Sequence, residues 1–111
     1  MTTSAERKAL NQGTFREAND RLEQVARDLI DADDASLVPF LCECPRRECM
    51  AVVLTTLAEY EQVRAVPEQG LARIGHEDPS IEHIVARNDR FLVTKKVGAA
   101  GEVHRETDPR Q

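Results

Sequence analysis

The chain has no tryptophan, one tyrosine and three phenylalanines among 111 residues. Aromatic bulk therefore cannot fill its interior, and a core must be assembled mainly from Leu, Val, Ile and Ala. At this length there is room for one domain with a modest core and none for a second. No apolar run approaches the roughly 20 residues of a membrane-spanning helix. Residues 1–10 are polar and charged and lack the apolar stretch of a secretory signal. These absences predict a cytoplasmic protein without a membrane partner. Also missing are a Gly-rich phosphate loop, a nucleophile elbow and a His-Glu-x-x-His helix, so an enzyme is not the first expectation.

Lysine is scarce as well, three residues against twelve arginines, and the formal charge is -5. The charge is uneven: residues 1–41 sum to -3, residues 42–85 to -4 and residues 86–111 to +2. An acidic middle repels phosphate backbones, which makes nucleic acid an unlikely partner and another protein the expected one. Nothing in the sequence sets the oligomeric state.

Cysteine is rare too, but its placement is informative. Cys42 and Cys44 flank Glu43, and Cys49 follows after four residues. A Cys-x-Cys pair has too short a backbone path for a relaxed disulfide, yet it can present two sulfurs to one ion. An odd count in a reducing compartment points to metal binding or reactivity. The turn-prone Pro45-Arg46-Arg47-Glu48 segment lets Cys49 fold back toward the pair. Arg46 and Arg47 then either offset thiolate charge or are simply solvated.

Three thiolates and one imidazole make a complete tetrahedral zinc shell. His76 is the favoured fourth ligand because it sits between a candidate strand and a candidate cap, at a chain reversal. His83 is expected to turn away from an apolar helix face, and His104 to be an ordinary strand residue. His83, His104, Glu77 and water stay open as alternatives, as does a cluster of three buried thiols without metal. The expected site is Zn2+ on Cys42, Cys44, Cys49 and His76.

The chain reads as α+β. Gly13 and the lack of an apolar stripe predict a flexible N-terminal tail over 1–13. Thr14 and Glu17 form a capping-box pair opening an amphipathic helix over 14–31, with Phe15, Ala18, Leu22, Val25 and Leu29 at heptad spacing. Leu22, Val25 and Leu29 are expected to dock, leaving Phe15 and Ala18 partly free for another chain. An apolar segment over 37–41 leads into the zinc-bearing loop, and residues 50–54 form a short β-rich run. Thr56 and Glu59 cap a helix over 57–65, and residues 71–74 read as a strand. Asp78 and Pro79 open a third helix carrying Ile81, Ile84 and Val85. Residues 91–106 read as a C-terminal β-hairpin turning at Gly98-Ala99-Ala100-Gly101. The domain then spans 14–107, with a loose tail over 108–111.

Two resemblances attach to these motifs. The Cys-x-Cys-x4-Cys spacing is similar to the post-SET segment of lysine methyltransferases, where three cysteines and a distant residue hold zinc; it implies the metal and no methyl transfer. A broader resemblance covers residues 14–107 through Phe40-Leu41-Cys42-Glu43-Cys44, Leu57-Ala58-Glu59-Tyr60-Glu61 with Val63-Arg64, Gly75-His76-Glu77-Asp78-Pro79, Asn88-Asp89-Arg90 and Glu106-Thr107-Asp108-Pro109. Together these resemble a group of small bacterial proteins. That resemblance implies that the first helix, the cysteine loop and the 75–79 segment form one domain, and it implies no activity. The chain departs from the group at Pro45, where Gly is common.

A small zinc-binding interaction or regulatory module is the leading expectation. One alternative is a redox-sensing zinc-thiolate switch. The other is a zinc-dependent hydrolase with an open water position and Glu43 or Glu77 as general base, which three electron-donating thiolates disfavour.

Overall fold

Thr3 caps the first helix, α1 (Ser4–Leu29), in the computed structural model, which describes residues 2–110. The Thr3 hydroxyl accepts from the Glu6 N–H, and the Glu6 carboxylate accepts from the Thr3 N–H. This reciprocal cap starts the helix ten residues earlier than expected, so the anticipated tail over 1–13 is helical from Ser4 onward. Gly13 costs about 1 kcal/mol relative to Ala within a helix, too little to break one this long. The helix ends where Asp31 takes a left-handed φ of 51° and the Ala32 N–H bonds back to the Ala26 carbonyl at 3.0 Å.

The face that α1 buries is not the apolar one. Its buried positions are Ala9, Gln12, Arg16, Asn19, Glu23 and Ala26, which themselves recur at spacings of three and four. Phe15, Ala18 and Leu22 are half-buried, whereas Val25 and Leu29 are 48% and 76% exposed. The expected docking of Val25 and Leu29 is thus overturned. The cause is the surface beneath the helix, which offers backbone carbonyls and carboxylates: Arg16 donates to the Pro67 and His104 carbonyls, and Gln12 donates to Glu82, each at 2.9 Å.

Strands β1 (Leu37–Leu41) and β2 (Val52–Thr56) pair antiparallel, with Leu41 opposite Val52. The cysteine loop is the connection between them. Thr56 and Glu59 form the expected capping box, which opens α2 (Leu57–Arg64) directly from the end of β2. The second sheet has the order β3-β5-β4, all antiparallel, from β3 (Gln69–Ala72), β4 (Glu82–Arg87) and β5 (Leu92–Lys96). Helix α3 (Gly98–Glu106) closes the fold against α1. The architecture is α+β.

Two expected elements differ in kind. Asp78 does use its side chain on the Ser80 N–H at 3.0 Å, but as a two-residue turn rather than a helix cap. Ile84 and Val85 then belong to β4, because pairing with β5 stabilises an extended run that a short apolar pattern cannot distinguish from a helix. The C-terminal β-hairpin is likewise absent. The hairpin is β4–β5, turned by Asn88, whose side-chain oxygen accepts from the Arg90 and Phe91 N–H groups. Residues 98–106 are helical, with Ala100, Gly101 and His104 buried on one side.

Residues 108–110 are docked rather than loose: Asp108 is buried and Arg110 pairs with Asp20, Glu23 and Glu61. Residue 111 of the expected tail lies outside the described residues. The main core gathers Phe40, Leu57, Tyr60, Leu71 and Phe91, with the Phe40 and Tyr60 rings stacked at 4.4 Å.

Candidate metal centre

The loop that carries the cysteines begins as a continuation of β1. The Cys42 N–H bonds to the Ala51 carbonyl, extending the β1–β2 ladder, and the Glu43 N–H bonds to the Leu71 carbonyl, fastening the loop to the free edge of β3. Successive side chains of this extended segment point to opposite sides. Cys42 and Cys44 therefore share one side, and Glu43 faces the other. A turn closed by the Cys49 N–H on the Arg46 carbonyl brings the third cysteine back. His76 enters from beyond β3, on a turn in which its N–H bonds to the Arg73 carbonyl and Gly75 takes a φ of 91° that favours glycine.

The three sulfurs and a ring nitrogen of His76 all lie within 4.8 Å of one another. His76 Nδ1 is 3.6 Å from Cys42 Sγ and 3.7 Å from Cys49 Sγ. Cys42 and Cys44 are buried, and Cys49 and His76 are half-buried. No disulfide joins the cysteines. The Arg73 N–H donates to Cys42 Sγ at 3.3 Å, and the Arg46 backbone N–H donates to Cys44. Burial pushes the Cys42 and Cys44 thiols up despite these donors, with Cys44 and Cys49 raising Cys42 further and Cys49 raising Cys44. A cation that replaced the thiol protons would relieve that crowding. The arrangement can hold a metal ion.

The other candidate ligands lie elsewhere. His104 is fully buried beneath α1, and burial, reinforced by Lys96 and Arg16, pushes it down to about 2, so it stays neutral. His83 is exposed on β4. Glu77 is not among the converging ligands. Glu43 points inward, where its carboxylate accepts from Asn19 at 2.8 Å and from the Leu71 N–H at 3.3 Å. It is engaged on the far side of the chain from the sulfurs.

No family model, curated protein or solved structure matches this chain.

What the sequence did not reveal is how much buried charge surrounds the loop. Asn19 also clamps Leu41, donating to its carbonyl at 2.9 Å and accepting from its N–H at 2.8 Å. Lys96, fully buried, lies 3.5 Å from Glu82, and burial lowers its pKa as it raises that of Glu43. Gly70 makes room for them: a Cβ there would stand 2.5 Å from Lys96 Nζ and 2.9 Å from Glu43 Oε1. The strict three-and-four spacing of Gln12, Arg16, Asn19 and Glu23 was the available signal, hidden because polar residues are seldom read as a docking face.

The remaining motifs are engaged in structure. Arg64 forks between Asp20, at 2.9 and 3.0 Å, and Asp108, at 2.6 and 3.3 Å. The Tyr60 hydroxyl donates to Asp20 at 2.6 Å, and Arg90 pairs with Glu59 at 2.7 Å. The Asp20, Tyr60, Arg64 and Asp108 contacts tie α1, α2 and the C-terminal segment together, and the Arg90–Glu59 pair ties α2 to the β4–β5 turn. Among the described residues, no helix is long and apolar enough to cross a membrane.

Proposed function

We propose that Cys42, Cys44, Cys49 and His76 hold one Zn2+ and that the protein is a zinc-stabilised interaction or regulatory module of the cytoplasm. The observation that carries this reading is the convergence of four protein ligands within 4.8 Å. Bond lengths of about 2.3 Å to sulfur and 2.0–2.1 Å to nitrogen give tetrahedral edges of roughly 3.6 Å between S and N. The His76 distances of 3.6 and 3.7 Å match those edges. Backbone N–H donors on two of the sulfurs favour the thiolate form that a metal requires. A bound zinc would cross-link the β1–β2 connection to the segment after β3 and withdraw charge from the clustered sulfurs.

A structural role fits better than a hydrolytic one. Four protein ligands leave no coordination position open for water. The inward-facing Glu43, held by Asn19 and Leu71, is not placed to serve as a base at the sulfurs. Purified protein should contain about one equivalent of zinc by elemental analysis, and Cys49→Ser should unfold or loosen the domain. Metal-free protein as stable as the metal-loaded form would overturn the reading.

One feature favours a redox-sensing version of the same module. Cys49 and His76 border an open groove of about 400 Å³, so the metal edge they form is accessible while Cys42 and Cys44 are shielded. Hydrogen peroxide would take two electrons from two thiolates, its O–O bond breaking and two protons from solvent completing two waters while the sulfurs join as a disulfide, and so remove two ligands. Zinc release at stoichiometric peroxide, with a mapped disulfide involving Cys49, tests it; retention of zinc would refute it.

A further inference from the structure

The arginines of this chain divide into two populations. Arg21, Arg27, Arg64, Arg90, Arg105 and Arg110 each meet a carboxylate, and Arg16 is engaged by buried carbonyls. Arg7, Arg46, Arg47, Arg73 and Arg87 are exposed and have no carboxylate partner among the described residues. Arg87 lies apart on β4, and the other four lie on one face around the cysteine loop. Arg46 and Arg73 line the groove beside Cys49 and His76, while Arg7 and Arg47 line the neighbouring groove along α1. A third groove, lined by Arg46, His76 and Lys8 together with Glu77 and Asp78, connects the two, and there Lys8 is paired with Asp78 at 2.7 Å. In a protein of charge -5 the four arginines still leave this face with an excess of unpaired positive charge.

We propose that this face docks an acidic segment of a partner protein. The inference rests on the module reading above, in which zinc fixes the loop that displays Arg46 and Arg47. Planar guanidinium groups match carboxylates in two-pronged pairs. Met50, 87% exposed in the same groove as Arg46 and Arg73, adds an adaptable apolar contact that suits a peptide side chain. A polyphosphate fits less well. Glu48 lies in the same groove and Glu77 in the adjoining one, and the net negative charge opposes a uniform polyanion, whereas a segment of mixed composition can avoid both carboxylates.

The test is a titration of protein whose zinc content has first been measured. The probes are a fluorescein-labelled peptide of Asp and Glu with one Leu, its Asn/Gln counterpart, and a single-stranded oligonucleotide of equal charge. Binding is followed by anisotropy and by backbone amide NMR shifts. The acidic peptide should bind more tightly than its neutral counterpart and shift the amides of residues 46, 47, 50 and 73. Its affinity should fall as salt is raised. The double variant R46E/R73E should weaken it about tenfold, on the order expected when two exposed ion pairs become repulsions. R87E, on the exposed strand β4, should leave it unchanged. Equal affinity for the neutral peptide, or equal loss in R87E, would overturn the proposal, and tighter binding of the oligonucleotide would overturn the choice of partner. Failure to bind in protein carrying one zinc refutes this inference alone. Absence of zinc refutes the metal reading, and the peptide comparison still decides the face.

Discussion

Asn19 joins the polar face of α1 to the strand that leads into the cysteine loop, and Asn19→Ala measures what that junction contributes. The side chain is fully buried and makes three hydrogen bonds, two to Leu41 and one to Glu43. Truncation leaves a backbone N–H, a backbone carbonyl and a carboxylate oxygen without their partner. Each buried group so abandoned costs about 1–3 kcal/mol, and more when charged. Leu41 is only half-buried, so water recovers part of its loss. The expected cost is therefore about 3–5 kcal/mol, a large fraction of the 5–15 kcal/mol typical of a domain. Urea unfolding of zinc-loaded protein should show the midpoint shifted with an unchanged slope. Because Leu41 immediately precedes Cys42, zinc affinity should also fall, by tenfold or more. Asn19→Asp should be no milder, since it sets a second carboxylate against Glu43. A loss below about 1 kcal/mol with unaltered zinc affinity would refute the view that α1 docks through its polar face.

Val25→Ala and His83→Ala should each change stability by less than about 0.5 kcal/mol in the same urea assay, because both side chains are substantially exposed. Gly70→Ala should destabilise by about 1–3 kcal/mol or more, since the added methyl meets Lys96 Nζ and Glu43 Oε1; thermal melts would detect it. Stability should decline through the mildly acidic range: burial and the adjacent Glu61 raise Glu23 from 4.5 to about 7, so the folded state holds the proton more tightly and loses stability as pH rises from about 4.5 to 7. The loss should be about 1–2 kcal/mol, solvent screening part of the shift, and Glu23→Gln should flatten it. Below pH 4 the trend reverses: the Asp20 and Asp108 carboxyls, held down by Arg64 against the opposing effect of burial, lose their pairing as they protonate.

The convergence of Cys42, Cys44, Cys49 and His76 was legible in the sequence because thiol and imidazole chemistry depends on residue type, and three cysteines lie close along the chain. His76 was legible through its turn-forming neighbours. The α2 capping box was equally plain, since Thr56 and Glu59 bond within their own helical turn. These are local features, determined within a few residues.

The rest was decided between distant residues. Whether residues 82–87 became strand or helix depended on β5 being available for pairing, and residues 98–106 became a helix that packs against α1. The docking face of α1 was the sharpest case. Its apolar and polar sets both recur at helical spacing, so periodicity alone could not choose between them. The choice fell to the surface beneath it, where the Leu41, Pro67 and His104 carbonyls and the Glu43 and Glu82 carboxylates require donors once water is excluded. An unsatisfied buried polar group costs more than leaving Val25 and Leu29 in water. That balance exists only after the chain has closed, and it turned α1 so that Asn19 reaches the strand leading into the cysteine loop.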